Sequence, residues 1–73
     1  MAIQIVMDRN GDSRHFFDAN DAGELAEAEQ RFRKLTQVGF TAAVRTGPGQ
    51  VSQTQSFDPT AEETVFFPRL VGG

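Results

Sequence analysis

The chain has 73 residues and a formal charge of −3, with seven phenylalanines and no tryptophan, tyrosine or cysteine. At this length only about 60% of the unfolded surface can be buried, so the chain makes one domain whose small core rests on phenylalanine. Without cysteine there are no disulfides, thiolate metal sites or cysteine nucleophile, and ten acidic against seven basic residues leave no basic face for nucleic acid. No apolar run approaches the roughly 20 residues of a membrane span, and the N-terminal residues lack the basic-then-apolar pattern of a signal peptide. The expectation is a cytoplasmic protein with no membrane or nucleic-acid partner.

Taken in order, Ala2–Asp8 alternates, with Ile3, Ile5 and Met7 on one face and Gln4, Val6 and Asp8 on the other, as in a half-buried strand. Asn10-Gly11 tolerates positive φ and predicts a hairpin returning through Ser13–Asp18. A strict two-residue turn there pairs Ile5 with Phe16 and Met7 with Arg14. A bulged turn brings His15 and Phe17 inward instead. Both registers stay open.

A helix is expected over 22–38. Asp21 is its cap, with Glu24 completing a capping box and Asn20 as the alternative cap. Leu25, Ala28, Phe32 and Leu35 form a single apolar stripe. Glu27–Arg31 and Glu29–Arg33 have favourable i,i+4 spacing, and Gly39 supplies the stop. Phe40–Arg45 alternates again, with Phe40, Ala42 and Val44 on one face, and Thr46–Gln50 is a loop by composition. Gly47-Pro48-Gly49 has neither the lysine nor the following helix of a phosphate loop, so it is a turn. Val51–Phe57 is so polar that it predicts a short edge strand, followed by one helical turn capped by Asp58-Pro59 and running to Glu62.

Thr64-Val65-Phe66-Phe67 is the most apolar strand and is expected at the centre of the sheet, beside the first strand and parallel to it. Pro68 weakens regular pairing, and Arg69-Leu70-Val71 then leads to Gly72-Gly73, which have no side chains. The fold class is α+β: a two-layer ββαββ mixed sheet with one covering helix.

This order on so short a chain, ending Arg69-Leu70-Val71-Gly72-Gly73, resembles the ubiquitin-like β-grasp family, bacterial ubiquitin-like modifiers in particular. Ubiquitin-type tails run Arg-Leu-Arg-Gly-Gly, from which Val71 departs, and the single lysine, Lys34, departs from ubiquitin's many. The resemblance implies a β-grasp domain over 1–71 with 68–73 as a flexible diglycine tail. It implies a substrate of other enzymes rather than an enzyme: an activating enzyme adenylates Gly73 with ATP, and a conjugating enzyme and a JAB-type peptidase are further partners. Gly72 and Gly73 would be the activation terminus, Arg69, Leu70 and Val71 the tail that partners read, and Lys34 a possible acceptor amine. Two alternatives stay open. One is a sulfur carrier ending in a thiocarboxylate, and the other is a non-covalent β-grasp interaction module. The chain itself needs no cofactor or metal on this reading. The lone His15 is expected to be structural, and one of Phe66 and Phe67 must face away from the helix, where it could form a docking patch.

Overall fold

A layer of phenylalanine joins the single helix to the sheet. In the computed structural model, which describes residues 1–68 except the side chain of Thr46, β1 (Ala2–Asp8) and β2 (Gly11–Phe17) precede α1 (Ala22–Gln37). Then come β3 (Phe40–Gly47), β4 (Gln50–Thr54) and β5 (Glu63–Pro68). The strands form one mixed sheet in the order β2-β1-β5-β3-β4. The chain is thus α+β with two layers, as expected, although β4 and β5 are separate strands and the order is ββαβββ. β5 is central, parallel to β1 and antiparallel to β3, and the short polar β4 forms an edge.

The first hairpin follows neither expected register. Asp8 pairs with Gly11, Ile5 with Arg14 and Ile3 with Phe16, so Arg9 and Asn10 form the corner and no bulge is needed. Gly11 takes φ 119°, a conformation that disfavours residues with a Cβ. His15 and Phe17 turn toward the helix because they pair with Gln4 and Ala2, which also face it.

The helix begins as its residues dictate. The Asp21 carboxylate accepts from Gly23 N–H at 2.9 Å and Glu24 N–H at 3.1 Å. The expected capping box does not form. Glu24 Oε1 instead accepts from the Asp18 N–H at 2.9 Å, because the Asp21 N–H donates to the Asp18 carbonyl. Glu29 meets Arg33 at 3.0 Å, but Arg31 turns inward to Gln4 rather than to Glu27. Gly39, at φ 108°, ends the element.

β4 stops at Thr54, three residues before the expected end. The Thr54 hydroxyl donates to the Ser56 carbonyl at 2.8 Å, and the chain bends so that Phe57 enters the core. The helical turn expected after Asp58-Pro59 is absent. A tight turn replaces it, with the Asp58 carboxylate accepting from the Thr60 hydroxyl and N–H at 2.6 and 2.9 Å. Those two bonds hold the Asp58 carboxyl below its ordinary 3.8.

Under the helix, Phe32 packs edge-on against Phe66 and Phe57, with centroids 5.6 and 5.9 Å away, and Phe57 also meets Phe17 at 6.4 Å. Small residues lie below them: Ala2 and Ala42 are buried in the sheet and Ala28 in the helix, which lets the rings approach the backbone. Leu25 and Leu35 flank this core, completing the expected stripe. Phe66→Ala is therefore expected to cost about 3–5 kcal/mol. That is comparable with the whole stability of a marginal domain, about 5 kcal/mol. Asp21→Ala should cost only about 1 kcal/mol. Urea unfolding followed by circular dichroism checks both.

Candidate functional site

β5 occupies the middle of the sheet. Its last residue, Pro68, is opposite Phe40 at the start of β3, where β3 can accept a strand residue that has no N–H to donate. Pro68 thus belongs to the central strand, whose Phe66 is fully enclosed. Arg69, Leu70, Val71, Gly72 and Gly73 lie outside the described residues. Lys34 lies in the last turns of α1 and is exposed, with no ion pair among the described residues.

Within the two layers, one polar cluster ties helix to sheet. The Gln4 side chain is fully buried: its Nε2 donates to the Ala28 carbonyl at 3.0 Å and its Oε1 accepts from Arg31 Nη1 at 2.8 Å. His15, opposite Gln4 on β2, is half-buried. Burial, and then the positive charge of Arg31, push its imidazole below the ordinary 6.5. No hydroxyl or carboxylate pairs with His15 among the described hydrogen bonds, and no group of three potential metal ligands occurs among the described residues. The two bonds of Gln4, to Ala28 and Arg31, fasten the helix to the sheet.

Of the surface depressions, one is lined by Arg45, Asp58, Glu62 and Glu63 beside Ile3 and Met1. The one between the end of α1 and the β3–β4 hairpin is lined by Thr36, Gly39, Phe40, Thr41, Gln53 and Gln55 and has no ionisable side chain.

The uncovered sheet face is the feature that the alternating pattern did not assign. Ile3, Ile5 and Met7 point away from the helix, as do Phe16, Val65, Phe67, Ala43 and Val51, because paired residues share a face and strand neighbours alternate. Phe16 is 63% exposed, Val51 58% and Met7 41%. A period of two separates the faces of a strand but does not say which one meets the helix. Each face carries two of the adjacent phenylalanines, Phe17 and Phe66 on one and Phe16 and Phe67 on the other, so aromatic content does not separate them either.

No family model, curated protein or solved structure matches the chain.

The polar cluster makes a pH prediction. With a folded pKa below 6.5, His15 takes up its proton more readily in the unfolded chain. Its contribution to stability is complete above about pH 6.5 and is lost as the pH falls through the folded pKa. A proton NMR titration should place His15 below 6.5. Arg31→Ala should move it upward but not to 6.5, because burial is the larger cause. The same substitution leaves Gln4 Oε1 without its partner and should cost about 1–3 kcal/mol in urea unfolding.

Proposed function

We propose that the chain is a ubiquitin-like protein modifier of β-grasp fold whose Gly73 carboxylate is activated by a partner enzyme and transferred to an amine. The observation that supports this most is the position of β5: a central strand, held on both sides, running through Pro68 into Arg69-Leu70-Val71-Gly72-Gly73. The order β2-β1-β5-β3-β4, with β1 and β5 parallel and one helix across one face, is the arrangement that a β-grasp domain requires. Five residues beyond Pro68 reach at most about 17 Å when extended, enough for the terminus to enter a partner's active site while the domain stays outside.

On this reading the domain is a handle and the enzymes supply the chemistry. A carboxylate is a poor acyl donor because oxide is a poor leaving group. Attack of a Gly73 oxygen on the α-phosphorus of ATP releases pyrophosphate and gives an acyl-adenylate. A thiolate of the activating or conjugating enzyme then attacks the carbonyl and AMP leaves. An acceptor amine displaces the thiol and forms the amide, and a peptidase hydrolyses that bond to reverse the modification. Gly72 and Gly73 bring no Cβ to obstruct either approach. ATP and reduced thiols place this chemistry in the cytoplasm.

The reading requires a free carboxylate on Gly73, and mass spectrometry of the protein purified from its own cells tests that directly. With ATP and an adenylating enzyme encoded beside it, the protein should form a thioester that reductant cleaves and deletion of Gly73 abolishes. Heavier amide-linked species in the cells complete the case. A mass gain matching oxygen-to-sulfur exchange at the terminus would instead identify a sulfur carrier. Unchanged partner binding after removal of Gly72-Gly73, with no adduct, would identify a non-covalent module.

A further inference from the structure

The sheet face opposite α1 holds the largest aliphatic residues of β1, while the covered face holds Ala2, Gln4 and Val6. This leaves an apolar surface of Ile3, Ile5, Met7, Val65 and Phe67 that Phe16 extends to one sheet edge, while Val51, at the other edge, lies beyond Arg45 and Gln53. We propose that this face binds a second copy of the same chain, sheet against sheet, about a twofold axis parallel to β5. The proposal is independent of the diglycine reading.

Three observations favour a second copy as the occupant. The first is electrical. The strand residues that face this way bring two carboxylates, Asp12 and Glu63, and two guanidiniums, Arg14 and Arg45, in balance, while Asp58 and Glu62 border the face beside Ile3, Arg45 and Glu63. The second is position. Phe16 pairs with Ile3, Ile3 with Glu63, Glu63 bonds Arg45 at 3.0 Å, and Arg45 pairs with Val51. Phe16 and Val51 are therefore the two ends of one row across five strands, and both are large, apolar and mostly exposed.

A twofold rotation about an axis along β5 exchanges the two edges and keeps each row level. Phe16 of one copy then comes over Val51 of the other, twice, as an isologous interface requires. Val65 and Phe67, on the axis strand, meet their own counterparts. The Arg45–Glu63 pairs come together at the middle as two carboxylates flanked by two guanidiniums.

The third observation is area. Five strands about 4.8 Å apart and three rows about 6.8 Å apart give a face of roughly 500 Å² per copy. Two such faces bury roughly 1,000 Å², near the lower bound of a specific interface, so the dimer is reversible and depends on concentration.

Sedimentation velocity of the full chain, with loading from about 0.01 to 1 mM, should show a monomer shifting to a dimer. Phe16→Asp and Val51→Lys should each weaken association at least tenfold, since either places a charge over an apolar neighbour. The double variant sets the introduced carboxylate over the introduced ammonium at both ends and should restore association to within a few-fold of the parent. Val38→Asp, a control on a more exposed apolar residue (74%) at the end of α1, should have no effect, and nor should removal of Gly72-Gly73. Unchanged far-ultraviolet circular dichroism shows that each variant is folded. Both altered side chains are mostly solvent-exposed, and the double variant reports on the geometry even if the single ones lose some stability. A parent that stays monomeric at 1 mM overturns the proposal, and so does a double variant no better associated than the single ones.

Discussion

The Gln4 amide decides which side of the sheet is the inside. It is the largest fully buried polar side chain, and both ends are satisfied only by the helix: Nε2 by the Ala28 carbonyl and Oε1 by Arg31. No buried side-chain nitrogen or oxygen among the described residues lacks a partner. A buried amide group left without one costs about 1–3 kcal/mol, so the helix must sit where these two bonds can form. Once Gln4 faces the helix, the pleat sends Ile3 and Ile5 to the other side. Moving β1 by one residue against its neighbours would bury the isoleucines, worth about 1.5–3 kcal/mol each. It would also turn Gln4 outward and break the match of Val6 to Phe66 and Ala2 to Phe17.

The volumes under the helix agree with this choice. Four rings, Phe17, Phe32, Phe57 and Phe66, fill the space between layers, and each contact with the next is tilted or edge-on. Rings of that size need small neighbours, which Ala2, Ala28 and Ala42 supply. Isoleucines in place of Ala2 and Gln4 would overfill the layer, and overpacking costs as much as the extra burial gives. The core is thus a set of aromatic side chains from β2, α1, β5 and the loop after β4, closed over small residues of β1 and β3. The polar contact sets the parity, and the aromatic contacts supply most of the apolar burial.

Local chemistry made much of this legible in the residues. Asp21 caps the helix, Leu25, Ala28, Phe32 and Leu35 line its inner side, and Gly39 stops it, each within a few residues of the feature it specifies. The density of β-branched and aromatic residues placed β5 at the centre, and the polarity of 51–56 placed β4 at the edge. What escaped depended on partners far along the chain. Glu24 bonds Asp18 rather than closing the box on Asp21, and Arg31 leaves Glu27 for a glutamine 27 residues away. The hairpin corner moved from Asn10-Gly11 to Arg9-Asn10, where Gly11 still takes the positive φ. Of the candidate site, only Lys34 and the strand leading to the tail fall among the described residues.

The same strand governs both outward-facing features. β5 has no free edge, so its backbone cannot recruit a partner by strand addition, and only its two faces and its exit remain. One face, through Phe66, is spent on the core. The other, through Val65 and Phe67, lies at the middle of the apolar surface, and the exit at Pro68 is the next residue after Phe67. A body that covers the open face therefore also sits beside Pro68, the last of the described residues. If a second copy covers that face, it competes with any enzyme that must grip the domain there to reach the segment beyond Pro68. Weak self-association is then a condition of use, since a tight dimer would occlude the approach and a small, reversible interface would not.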